Sequence, residues 1–171
     1  MRFDATLLVL LLLAYFATPR NVSGGERLEF PGGGFSIELP NGWEGPVEAH
    51  EEALPSSSSY VLRHAGGGPL TSSEIRVVRR TGLNPLAHQQ WMRGRATVGL
   101  GALRPVEALS GDAMPFRTGV GFRAEGGGRS ALVYFTQHGT AHYVLIASAP
   151  ADRFVAATGA LLGVARSVRF L

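Results

Sequence analysis

The chain contains neither cysteine nor lysine. Without cysteine it forms no disulfide and offers no thiol nucleophile, thiolate zinc site or iron–sulfur ligand. Lipid attachment through an N-terminal cysteine is excluded as well. Without lysine it forms no Schiff base with a carbonyl substrate or pyridoxal phosphate, and a phosphate-binding P-loop lacks its lysine. All 16 basic residues are therefore arginine, and against 13 acidic residues they leave a net charge of only +3. The arginines are spread along the chain rather than clustered in a basic patch, so no nucleic-acid partner is expected. No cofactor or metal is expected either.

At 171 residues the sequence has the length of one domain. A chain of this size buries roughly two-thirds of its unfolded surface, enough for a core without covalent staples. The first residues read as an address. Arg2 precedes an apolar run from Ala5 to Ala17, which is too short for a comfortable transmembrane helix of about 20 residues. It fits the apolar region of a secretory signal, and Val22-Ser23-Gly24 suits the positions before a cleavage site. The expectation is a signal peptide or N-terminal anchor over 1–24 and a single domain over 25–171. The chain is then periplasmic or secreted, or tethered to the membrane by this segment alone if it stays uncleaved.

Phe35, Ile37 and Leu39 alternate with Ser36 and Glu38, the pattern of a half-buried strand. Pro40-Asn41-Gly42 is turn chemistry and delivers Trp43. Pro55 and Ser56 to Ser59 read as a polar linker. Tyr60 to His64 and Glu74 to Arg80 read as strands on either side of Gly66-Gly67-Gly68-Pro69. Asn84 and Pro85 suit the cap and first position of a helix running to about Val98, with Gly94 weakening its middle. Val106 to Ser110 is a weak strand. Pro115 to Ala124 is a clearer one, with Phe116, Val120 and Phe122 on one face.

Gly139-Thr140 suits a two-residue turn. The hairpin it closes, Ser130 to Ser148, pairs Gln137 with His142, Phe135 with Val144 and Val133 with Ile146. Both faces of this hairpin are apolar, which places it in the middle of a sheet with a layer over each face. After Pro150, Asp152 is expected to cap a helix to about Ala165, with Phe154, Ala157, Leu161, Val164 and Val168 as its stripe. The fold class expected is α+β: an antiparallel sheet covered by helices on both faces, a three-layer α/β/α sandwich.

The order of these elements resembles the PsbP-like and DcrB-like bacterial envelope proteins. The features are a signal followed by the Phe35-Ser36-Ile37-Glu38-Leu39-Pro40-Asn41-Gly42-Trp43 opening, and a helix after strands. The late hairpin carries Leu132-Val133-Tyr134-Phe135 and His142-Tyr143-Val144-Leu145. Ala149-Pro150, a helix and Ser167-Val168-Arg169-Phe170 follow. The resemblance covers about Leu28 to Leu171 and implies an α/β/α sandwich without shared catalytic residues. Its members include extrinsic subunits of photosystem II, envelope factors and chaperones that cradle apolar helices. Many bacterial members are lipoproteins, which this chain cannot be by the cysteine route.

The side chains with chemistry to offer are few. His138 and His142 fall on opposite faces of the hairpin and are poorly placed to share an ion. Glu48, His50, Glu51 and Glu52 gather carboxylates and an imidazole, the ingredients of acid–base work, in what reads as a solvated loop. Ser56 to Ser59 and Ser130 lack the Gly-x-Ser-x-Gly elbow of a hydrolase. Gly32-Gly33-Gly34, Gly66-Gly67-Gly68 and Gly126-Gly127-Gly128 lack the strand-to-helix setting of phosphate loops. Arg76, Arg79 and Arg80 form the densest cationic group, an anion or partner surface or a charged strand that discourages aggregation. Trp43 and Trp91 read as core.

The function expected is therefore a non-enzymatic accessory or binding protein of the cell envelope, acting on a protein partner. One alternative is a chaperone or carrier for an apolar helix or small lipophile, held in a gap between sheet and helix. A second is an envelope hydrolase built on His and carboxylates.

Overall fold

The computed structural model describes residues 20–21, 25–49 and 57–171. The chain runs β1 (Arg20–Asn21), β2 (Glu26–Phe30), β3 (Phe35–Leu39), β4 (Trp43–Ala49), β5 (Ser57–His64), β6 (Glu74–Arg80), α1 (Pro85–Met92) and β7 (Arg104–Leu109). A 3-10 turn (Gly111–Ala113) leads to β8 (Val120–Gly126), β9 (Arg129–His138), β10 (Ala141–Pro150), α2 (Phe154–Ser167) and β11 (Arg169–Phe170). Eight strands form one sheet in the order β1-β4-β5-β6-β10-β9-β8-β7, and three form a second in the order β11-β3-β2. Every pairing is antiparallel.

The hairpin β9–β10 takes the expected register, pairing Gln137 with His142, Phe135 with Val144 and Val133 with Ile146. It occupies the middle of the main sheet, between β6 and β8. Its two faces feed two separate cores. Leu132, Tyr134, Tyr143 and Leu145 join the larger one with α2 and the small sheet. Val133, Phe135, Val144 and Ile146 join the smaller one with Trp91, Leu100 and Leu103.

The expected α/β/α sandwich is not what forms. Among the described residues the chain is mainly β, with two sheets and two short helices. On the larger-core side, α2 shares the cover with the three-stranded sheet. That sheet exists because Leu28 and Phe30 alternate along β2, so β3 gains a partner on one side and β11 on the other. Phe30 and Phe35 stack at 4.6 Å, with the Tyr60 ring edge-on to both. On the other side α1 is only eight residues long and Trp91 is its one buried residue. Asn84 caps it as expected, its Oδ1 accepting from Ala87 N at 2.8 Å. The helix stops at Met92, short of Val98, because Gly94 turns left-handed at φ +65°. Irregular chain from 93 to 103 covers the remainder of that face.

Other local expectations shift too. Ser57 to Ser59 belong to β5 rather than to a linker. Strand β8 begins at Val120, so Phe116 lies off the strand and packs on the larger core against Tyr134 and Phe170, away from Val120 and Phe122. Asp152 does not cap α2: Arg153 holds that position without a side-chain bond. The buried stripe of α2 is nonetheless Phe154, Ala157, Leu161 and Val164, continued by Val168. Trp43 and Trp91 are both buried. Of the expected signal or anchor over 1–24 only Arg20–Asn21 is described, as strand β1 beside β4. Its apolar run and cleavage site, and the acidic group at His50, Glu51 and Glu52, lie outside the described residues, as does the side chain of Glu48. Among the described residues no helix is long and apolar enough to cross a membrane.

Candidate functional site

On the α1 side the strands bring polar residues into one row. Ser57 pairs with Arg80 across β5 and β6, Arg80 with His142 across β6 and β10, and His142 with Gln137 across β10 and β9. Directly paired residues of neighbouring antiparallel strands project on the same face. Three of the four carry a buried polar atom without a hydrogen-bond partner: Ser57 Oγ, Arg80 Nε and His142 Nδ1. Ser59, one step along β5 on the same face, adds a fourth in its Oγ. Buried polar atoms are rarely left unsatisfied, because each costs about 1–3 kcal/mol.

Helix α1 caps this row. His88 and Trp91 lie three residues apart and so share a helix face. His88 Nδ1 lies 2.8 Å from His142 Nε2, so one of the two nitrogens donates to the other. The Trp91 indole donates to Tyr143 O at 3.2 Å and sits edge-on to Phe135. Burial of His142, helped by the charge His88 would carry, pushes its imidazole below the ordinary histidine value, against a weaker opposing contribution from the Arg80 backbone. Beside this group a gap of about 320 Å³ opens between α1 and the sheet, lined by Arg80, Leu83, Ala87, Trp91 and Val98 among others.

The three arginines singled out in the sequence are not gathered at one point. Arg76 and Arg80 share the α1 face, and Arg79 projects to the other, where its Nε lies close to Gly34. Between Arg76 and Arg80 the chain at Gly99 presses on Val78, so close that a Cβ there would stand 3.0 Å from Val78 Cγ2. Arg76 thus opens on a separate hollow of about 200 Å³ with Glu74, Arg129 and Ser148. Its charge is met there by Glu74 at 3.3 Å, and Arg129 donates to Ser148 Oγ at 2.9 Å and to Ser72 O. Arg80 makes no ion pair with any described residue.

A different surface lies outside α2. Its outward residues are Val155, Ala156, Gly159, Ala160 and Gly163, an uncharged face bounded by Arg153 and Arg166. Val155 is 88 % exposed. Alongside runs an open groove of about 480 Å³ between α2 and the end of β3, with Leu39, Pro40, Ala160, Gly163 and Val164 in its walls.

Elsewhere the remaining candidates stay apart. His138 stacks on Phe170, on the opposite face from His142. Among the described residues no three His, Asp or Glu side chains stand close enough to hold a metal ion. The first two glycine triplets sit in the connections β2–β3 and β5–β6, and the third spans the end of β8 and its turn into β9. The sequence reading missed His88 and Ser57. The spacing of His88 from Trp91 after the Asn84 cap was the available signal for the first. Nothing local marked the second, whose role depends on its register with Arg80.

No family model matches the chain, and no curated protein sequence matches it. Among solved structures it is similar to the solution structure of cyanobacterial PsbP (CyanoP) from Synechocystis sp. PCC 6803. That likeness has a TM-score of 0.52 at 17 % identity and covers 91 % of this chain and 94 % of that one. A protein from Bacteroides thetaiotaomicron is similar at a TM-score of 0.48 and 13 % identity, over 87 % of this chain and 49 % of that one. The second likeness is too slight to carry an argument, and a DcrB-like kinship is not shown. The first concerns the fold and covers nearly the full length of both chains: the fold of this protein is PsbP-like.

Proposed function

We propose that this chain is an exported, non-catalytic accessory domain that binds a partner protein of the cell envelope. The observation that carries the partner reading is the outer face of α2. A surface helix of a soluble domain normally turns charged residues to water, whereas this one presents Val155, Ala156, Gly159, Ala160 and Gly163. Glycine at 159 and 163 leaves a flat notch on which the backbone of another helix can come close. The occupant it fits is an uncharged helix of the partner, with side chains reaching into the groove beside Pro40. The apolar run after Arg2 supports export.

A photo-cross-linking residue at position 155 tests this in intact cells. We expect an adduct with one protein from position 155 and none from exposed Arg104. An exported chain that gives no adduct from 155, or only an adduct with itself, ends the partner reading. Fusing residues 1–30 to a reporter tests the address: a reporter left in the cytoplasm ends the export reading.

The gap beneath α1 favours a second reading, in which the domain carries a small lipophile. Its support is the cavity of about 320 Å³ between helix and sheet with Trp91 in its wall.

A further inference from the structure

The gap between α1 and β6 is cationic on the sheet side and largely apolar on the other, where Gln90 and Thr97 add two polar side chains. Leu83, Ala87, Trp91 and Val98 form the apolar wall, and Arg80 stands at the sheet. A guanidinium stays charged at any physiological pH and presents its donors in a fork matched to a carboxylate. Arg80 is the arginine of its strand without a matching charge on this face: Arg76 is met by Glu74, and no described carboxylate reaches Arg80. Its Nε is buried and unpartnered. On each flank stands a strand neighbour with its own unpartnered polar atom, Ser57 Oγ on β5 and His142 Nδ1 on β10. Ser57 and His142 flank Arg80 in the sheet but do not line the gap, so it is Arg80 that brings the sheet's charge to its wall.

We propose that this gap binds a small monocarboxylate with an aliphatic tail. The carboxylate sits on the Arg80 guanidinium, and the tail lies against Leu83, Ala87, Trp91 and Val98. The inference rests on the carrier reading of this gap and adds the chemistry of the headgroup. A bare inorganic anion would leave the apolar wall unused, and an alcohol would leave Arg80 unpaired. A carboxylate with a tail satisfies both.

Titration of the full chain with sodium octanoate, followed by NMR of the Trp91 indole N–H and the Arg80 Nε–H, tests the proposal. 1-Octanol and inorganic phosphate are run in parallel. We expect octanoate to shift both resonances and to bind more tightly than either comparison compound. Arg80→Gln should weaken octanoate by about tenfold or more, the scale of one charge-assisted hydrogen bond, and leave octanol unchanged. Arg76→Gln should leave octanoate binding as it was. If Arg80→Gln fails to fold, Arg80→Lys keeps the charge but loses the fork, and the same ordering is expected with a smaller loss. Equal binding of octanol and octanoate would overturn the carboxylate inference while leaving the carrier reading standing. Binding of phosphate as tight as octanoate would overturn the role of the tail. Binding of none of the three would overturn both the inference and the carrier reading.

Discussion

On the α2 side of the main sheet, Leu132, Tyr134, Tyr143 and Leu145 meet a helix and a second sheet, with two aromatic groups, Phe30–Phe35–Tyr60 and Phe116–Tyr134–Tyr143–Phe170, packed in the core. On the α1 side, their sequence neighbours Val133, Phe135, Val144 and Ile146 meet an eight-residue helix anchored by one tryptophan and a stretch of irregular chain. The α2 side spends its area on apolar closure. The α1 side stops short of it and leaves a gap, while unpaired buried polar atoms occur on both sides, Tyr134 OH and Trp43 Nε1 on the filled one. A sheet apolar on both faces tolerates this division, because one well-filled face holds the fold while the other leaves a gap.

The largest break in that comparison comes from the filled face. Leu161→Ala removes a fully buried side chain of α2, and we expect a loss of about 2–5 kcal/mol in urea denaturation. Amide exchange should rise throughout the sheet, since this face holds it. Asn84→Ala deletes the cap of α1 and should cost about 1 kcal/mol. Here the added exchange should be confined to α1 and the chain up to 103. Exchange rising equally in α2 would show that the two covers are one cooperative unit.

Tyr134→Phe tests the filled face in the opposite direction. The Tyr134 hydroxyl is buried without a partner, and burial pushes its pKa from 10.0 up to about 12, with Arg166 opposing. Removing an unpaired buried hydroxyl should stabilise the fold by about 1 kcal/mol. Because the folded value is the raised one, the unfolded chain loses this proton first. The wild-type fold therefore keeps this contribution below pH 10 and loses it as pH rises toward 12. Denaturation of Tyr134→Phe across that range should lack this loss.

The smallest expected effect belongs to the open face. His142 is held below the histidine value of 6.5, so the fold favours its neutral form. Its contribution is present above pH 6.5 and is lost as pH falls through the lowered value. The groups around it are His88 from α1, Arg80 from β6 and Gln137 from β9, and protonation puts two imidazoles and a guanidinium together. The protection of the α1 amides, taken relative to their intrinsic exchange rate at each pH, should fall from pH 7.5 to pH 5.5, and His142→Gln should flatten that dependence. An α1 equally protected at both pH values would break the contrast between the two faces.

The hairpin was legible to the residue, because Gly139-Thr140 admits one tight turn and strand register follows from it. The stripe of α2 was legible from its 3.6-residue period. The second sheet was not recognised, although Leu28 and Phe30 alternate in β2, since strands this short say little until their partners are known. Phe116 was placed on the wrong face because a period of two was extended across Pro115 to Gly119, where the chain is not a strand. The open face was the least legible part. His88 and His142 are 54 positions apart, and Ser57 meets Arg80 only through the pairing of β5 with β6. No local pattern reports such encounters.

The second sheet also sets an order of events. Strand β3 has β2 on one side and β11 on the other, and Ser167 bonds both the N–H and the carbonyl of Glu38 across 129 positions of chain. A chain made or threaded from its N-terminus carries β3 with one edge bare until residues 167–170 emerge. Closing so long a loop is slow. Until then β3 lacks its second partner, and the last strand to arrive acts as the latch.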